Sequence, residues 1–219
     1  GTLLKSEQVV YGNAATAPTV TPPEGHHFVG WDKPFDKVTE DMTVTAQYAI
    51  NTYTVRFFDY TGTVQIGETQ IVNWGGAATP VTPPARTGFT FTGWTLTGDD
   101  DTVETSLDNV RENIDAVATY ALNRFTVTFL NYDGSVLGTV RVPYGGTATA
   151  PEVPAREGYT FTGWDTAFDY VTANLTVTAL FRINTYTVTF VNYDGTVLST
   201  QTVEWNKAAT APEVPAREG

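Results

Sequence analysis

The sequence predicts a mainly β chain built as a tandem array of repeats of about 60 residues, forming an elongated rod. Three observations predict it. Phe125–Gly158 set against Tyr186–Gly219 gives 23 identities in 34 positions without a gap. Strict alternation of apolar residues with threonine runs through YTVTFVN (186–192) and its counterparts, which is the period of a strand with one apolar face. Gly and Pro punctuate the chain steadily (19 and 12 of 219 residues) and leave no room for a long helix.

The elements of one repeat follow in order. An opener strand is written at YTVRFFDY (53–60), FTVTFLNY (125–132) and YTVTFVNY (186–193). Asp-Gly at 133–134 and 194–195 then predicts a tight hairpin of type I′, whose two central residues need positive φ. A second strand follows, VLGTVRVPY (136–144) or VLSTQTVEW (197–205). Next comes ATAPEVPAREG, identical at 148–158 and 209–219. Its prolines fix φ, extend the residues before them and remove two amide donors, so it reads as an extended crossover rather than a central strand. Strand alternation resumes in YTFTGW (159–164), and a closer strand is written at MTVTAQY (42–48), IDAVATY (114–120) and LTVTALF (175–181). SLDNVREN (106–113) is expected to form one helical turn capped by Ser106.

Taken from opener to closer, residues 53–120 and 125–181 are complete repeats, the first carrying an acidic insertion at 97–106. Residues 1–48 form a part repeat lacking its first strand, and 186–219 one lacking its last strands. A fragment of a longer chain is the favoured reading of these part repeats. Head-to-tail completion between chains is the alternative, because the two lack complementary pieces. The connectors AINTY (49–53), ALNRF (121–125) and RINTY (182–186) contain neither Gly nor Pro. They predict stiff joints, with Ile50, Leu122 and Ile183 as an apolar peg.

Composition narrows the function. Twenty-four acidic against 12 basic residues, net charge −12, argue against nucleic acid and against an anionic membrane surface. Cysteine is absent, which excludes disulfides and thiolate metal sites. No apolar run reaches the length of about 20 residues that spans a bilayer, so no membrane insertion is expected.

The ordered set of motifs, YTVTF opener, DG turn, aromatic step (YGN 11–13, WGG 74–76, YGG 144–146), proline crossover, EGYTFTGW (157–164) and LTVTALF closer, resembles the Listeria–Bacteroides repeat. This family includes the B-repeats of internalin-type surface proteins. The resemblance implies small α+β, β-grasp-like modules with little helix, tandem on secreted or wall-anchored bacterial proteins and mostly non-catalytic. The chain departs from the pattern at the insertion, at His26 where other repeats have Phe89 or Tyr159, and at Asn206-Lys207 in place of the paired glycines.

No catalytic constellation is visible and no cofactor is expected. His26 and His27 are neighbours on a strand and face opposite sides, and the four lysines occupy unmatched positions. Asp99, Asp100, Asp101 and Glu104 are the densest carboxylate cluster and the one candidate for a hard cation, although a solvated acidic loop is favoured. Trp31, Trp94 and Trp164 recur after a fixed glycine and read as core anchors. Tyr11, Trp74, Tyr144 and Trp205 precede every crossover. Exposed, they would form an aromatic row suited to a host protein or glycan; packed under the prolines, they would be structural. The expectation is a semi-rigid stalk at a bacterial cell surface or wall, anchored by sequence outside this stretch, with an adhesive module as the alternative.

Overall fold

The computed structural model describes residues 1–100 and 105–216. The strands are β1 (His26–Trp31), β2 (Ala46–Ile50), β3 (Thr52–Phe58), β4 (Gln70–Asn73), β5 (Phe89–Gly98) and β6 (Ile114–Leu122), then β7 (Arg124–Leu130), β8 (Val136–Pro143), β9 (Tyr159–Trp164), β10 (Leu175–Ile183), β11 (Thr185–Val191) and β12 (Val197–Glu204). Helix is absent among the described residues, so no membrane-crossing helix is present among them. Two compact units result: Gly1–Arg86 with Phe91–Ala121, and Thr87–Thr90 with Leu122–Gly219. Each holds one four-stranded and one two-stranded sheet.

The four-stranded sheets have the orders β4-β3-β6-β5 and β8-β7-β10-β9. In each, the opener hairpin donates its first strand to the centre, where it lies parallel to the closer: Val55 faces Ile114 and Phe57 faces Ala116, Val127 faces Leu175 and Phe129 faces Val177. The alternation read from the sequence puts Val55 and Phe57, or Val127 and Phe129, on the inner face, where all four are essentially inaccessible. Thr54 and Arg56, or Thr126 and Thr128, take the outer face. Asn113 and Asn174, each just before its closer, accept the amides of Thr54 and Thr126 and so fix the parallel register.

A helix would normally cover such a sheet, but here extended chain does. The loop after the tryptophan strand returns over the inner face and pairs with the start of the crossover. Ala148 N–H donates to the Phe168 carbonyl, Gly145 N–H to the Val171 carbonyl and Val171 N–H to the Gly146 carbonyl. The first unit repeats this with Ala78, Gly75 and Val110, and again with Ala15, Gly12 and Val38. Val110 and Val171 are thereby buried against the sheets. Trp94 packs edge-on against Phe57 with centroids 4.8 Å apart, and Trp164 against Phe129 at 5.0 Å, which fits the anchor role.

Three expectations need correction. SLDNVREN is not a helical turn, because the Leu107 carbonyl and both backbone groups of Val110 are engaged by Gly75, Gly76 and Ala78. The Asp-Gly hairpin is not type I′. Gly134 has φ +83 but Asp133 keeps a negative φ, the Gly134 N–H donates to Asn131, and a bulge follows at Phe129/Leu130. That is a longer loop closed by a left-handed glycine, held by the Asp133 carboxylate, which accepts from the Ser135 hydroxyl and amide. The apolar peg holds at one position of three at most: Ile50 is 37% and Leu122 43% exposed, whereas Ile183 is half-buried.

Candidate functional site

One residue separates each closer from the next opener: Asn51, Asn123 or Asn184. In the first unit, Asn51 N–H donates to the Gly25 carbonyl, and its own carbonyl accepts the Trp74 N–H. In the second unit the same clasp joins Gly88, Asn123 and Tyr144, and again Gly158, Asn184 and Trp205, with bonds of 2.8 to 2.9 Å. The asparagine side chains are used too. Thr90 and Thr160 hydroxyls donate to the Oδ1 of Asn123 and Asn184, and the His27 ring nitrogen takes that place at Asn51.

The glycines are there for the aromatic rings. Gly25, Gly88 and Gly158 have φ of +71, +78 and +74. A Cβ on any of them would overlap the ring of Trp74, Tyr144 or Trp205 respectively. Only a glycine satisfies both demands, a left-handed backbone and a ring laid directly on it. Trp74 further carries the Arg111 guanidinium 4.9 Å from its centroid, and Trp205 meets Tyr159 edge-on at 6.4 Å. The four rings of the predicted aromatic row thus differ in their surroundings. Trp74, Tyr144 and Trp205 are half-buried on the glycine that ends a crossover, whereas Tyr11 is 78% exposed.

A second cluster went unread in the sequence. From the Phe129–Trp164 pair, rings continue edge to face through Phe161, Phe181 and Tyr132, with centroid spacings of 5.5, 5.8 and 5.5 Å. Arg156, from the crossover, closes the series 3.9 Å from the Tyr132 centroid and 3.5 Å from that of Tyr159. The first unit repeats it through Trp94, Phe91, Tyr120 and Tyr60, with Arg86 4.1 Å from Tyr60. Phe161, Tyr132, Phe91 and Tyr60 are each more than a third exposed. Arg156 lies inside the duplicated crossover, where it reads as a solvated charge. The signal for its role was the arginine two residues before both Gly88-Phe89 and Gly158-Tyr159.

Two of the four acidic candidates lie among the described residues. Asp99 accepts from the Asn113 amide and the Asp100 N–H donates to Glu112, while Asp101 and Glu104 lie outside the described residues. Among the described residues, no three His, Asp or Glu side chains converge as a cation site. Glu112, 4% exposed, also accepts the Thr105 hydroxyl and so pins the ends of the insertion. The His26 and His27 ring nitrogens contact the Glu24 carbonyl and Asn51, not one another.

Comparison with known proteins agrees with this architecture. The Listeria-Bacteroides repeat domain matches residues 53–118, 125–180 and 186–219, and the divergent InlB B-repeat domain matches 1–59. A putative Gly-rich membrane protein of Evansella cellulosilytica is 32% identical over 222 residues, covering 90% of this chain and 25% of its own length. A putative membrane protein of the same organism is 31% identical over 192 residues, 81% of this chain and 28% of its own. Internalin H of Listeria monocytogenes is 35% identical over 119 residues, 47% and 21%. The chain spans about a quarter of the length of these relatives.

Proposed function

The chain belongs to the Listeria-Bacteroides repeat domain family, and from that membership we propose that it is a non-catalytic spacer of a bacterial cell-surface or secreted protein, a semi-rigid stalk that carries other domains. The observation that supports this reading is the clasp. One-residue connectors leave little freedom, and at each of them an aromatic ring, a glycine and an asparagine are locked by the same hydrogen bonds. Flexible tethers are Gly- and Ser-rich and lack such contacts. The relatives named as membrane proteins and an internalin support a surface location. A β-grasp description of the module rests on the central parallel pair between two hairpins, with extended chain where a helix would be.

The test uses the absence of cysteine. Spin labels at Asp169→Cys and Thr200→Cys flank the Asn184 clasp. A spacer of this kind gives one narrow distance distribution, broadened by Trp205→Ala. A broad distribution in the parent chain would refute the stiff joint.

One observation favours a second reading, an adhesive module. The arginine-capped aromatic faces recur in both complete repeats and stay partly exposed, which suits weak contacts to a host protein or glycan multiplied by copy number. If so, Arg156→Ala with Arg86→Ala abolishes retention on a host-cell surface without altering the spin-label distances.

A further inference from the structure

In each complete repeat the first and last strands are neighbours and run the same way. β3 lies beside β6 from Val55–Ile114 to Phe58–Val117, and β7 beside β10 from Val127–Leu175 to Leu130–Thr178. The chain enters the first of these repeats at Thr52, before the overlap begins, and leaves it at Leu122, beyond the overlap's far end. In the second, Arg124 and Ile183 stand in the same places. Tension passed along the chain therefore drags opener and closer in opposite directions along their own axes. The same sliding strains every rung of the overlap, so no rung can break alone.

We propose that this parallel pair is a mechanical clamp, by which each complete repeat keeps its length under load. The inference rests on the spacer reading for the origin of the load. The pair is central in both sheets, so another strand flanks it on either side. Val55, Phe57, Ile114 and Ala116 seal its inner face in one repeat, and Val127, Phe129 and Val177 in the other. Rungs shielded from water in this way are stronger than exposed ones. The asparagine before each closer adds a bond at the entry end, through the Thr54 and Thr126 amides. The first repeat has one tie more. The Arg56 guanidinium, through Nε and Nη2, donates to both oxygens of Asp115 directly across the rung, each at 2.7 Å. At the matching rung of the second repeat, Thr128 faces Thr176.

The β7–β8 hairpin supplies the contrast. Its ladder is longer, seven pairs from Arg124–Pro143 to Leu130–Val136 against four between β7 and β10. Pulled apart at its open end, it is loaded one rung at a time. The number of rungs and the direction of load thus predict opposite orders of strength.

Single-molecule force spectroscopy on the full chain tests this, with handles on paired cysteines in a sequence that has none of its own. Thr52→Cys with Arg182→Cys loads both complete repeats in series, and Arg124→Cys with Arg141→Cys opens the hairpin; all four positions are exposed. At one loading rate, the first pair should give two sharp events at several times the hairpin's force. These release up to about 250 Å of chain from residues 52–122 and about 210 Å from 124–183. The shorter release should come first in most pulls, because only the other repeat has the ion pair. Replacing that pair by its counterparts, Arg56→Thr with Asp115→Thr, should abolish the order while changing urea unfolding of the unloaded chain little, since exposed ion pairs add little at equilibrium and forced unfolding reads a rate. A hairpin as strong as the repeats, or repeats that unravel in partial steps at the hairpin's force, overturns the clamp. An order that survives the double substitution overturns the ion pair's part in it. A broad spin-label distribution would refute the stiff joint and leave these forces unchanged, so the two readings fail separately.

Discussion

Replacing Gly158 by alanine should open the clasp at Asn184 while leaving the sheet β8-β7-β10-β9 folded. Two terms add. Alanine at φ +74 costs about 1 kcal/mol of backbone strain relative to glycine. The new methyl also lies within the Trp205 ring, so the ring must leave. A half-buried tryptophan covers on the order of 100 Å² of apolar surface, worth about 2.5 kcal/mol if the contact is lost entirely. The sum, about 3 to 3.5 kcal/mol, corresponds to a loss of protection of a few hundredfold at the Asn184 and Trp205 amides in native-state hydrogen exchange. Gly134→Ala is the control. Its φ is +83, but nothing lies within 4 Å of the added carbon, so it costs the strain alone, about fivefold, at its own turn. In a Trp205→Ala background, Gly158→Ala should fall to that same strain, which makes the coupling measurable as a double-mutant cycle. If Gly158→Ala and Gly134→Ala cost the same, or the Asn184 and Trp205 amides keep their protection, the clasp does not hold the joint.

Asn206 is the only described non-glycine with positive φ, at 61, where Gly12, Gly75 and Gly145 stand in other repeats. Asn206→Gly should therefore raise the stability of the β11–β12 hairpin by up to about 1 kcal/mol, read in urea titrations. Asn123→Ala keeps the backbone bonds but orphans the Thr90 hydroxyl, and should cost about 1 kcal/mol in the same assay. Hydrogen bonds from the Ser135 hydroxyl and amide hold the Asp133 carboxyl below its ordinary range. The Thr196 amide and hydroxyl do so for Asp194, and the Thr178 amide, with smaller contributions from the Thr166 and Thr178 hydroxyls, for Asp165. A depressed folded-state value stabilises above the unfolded one and is lost as pH falls through it. Thermal melts should thus be flat near neutrality and decline below about pH 4, and Asp165→Asn should flatten that decline.

Much of the fold was legible because it rests on local patterns. Alternation in YTVTFVN assigned the inner face of each opener, and the prolines kept the crossover out of the sheet. The joint was harder. The sequence marked Ile50, Leu122 and Ile183 as pegs because they are the apolar residues of the connectors, but the clasp is made by asparagine, glycine and a ring about 20 residues further on in sequence. A glycine before an aromatic strand has many uses, and nothing local says which ring lies on it. The turn misreading has the same source. Asp-Gly satisfies type I′, yet Ser135 and Thr196 offer the aspartate a hydroxyl and an amide two residues on, and that bond favours the longer loop. Arg156 shows how burial can hide in a charge: its guanidinium closes a line of rings that begins in the core.

The lack of a helix among the described residues explains why the opener strand matters so much. With only extended chain over the inner face, the cover is thin, and the core of a complete repeat is a single layer of Val127, Phe129, Val142, Ala148, Val171 and Val177. Two of those six side chains, including the largest, Phe129, belong to the opener. Removing it takes both the sheet centre and a third of the buried layer at once, and residues 1–50 keep the crossover–loop pairing at Gly12 and Val38 yet bury nothing. Phe129→Ala should accordingly cost about 3 to 5 kcal/mol, measured by urea unfolding, and melt the repeat as a whole. A cost under about 1 kcal/mol would mean that the capping loop, rather than the opener, carries the core.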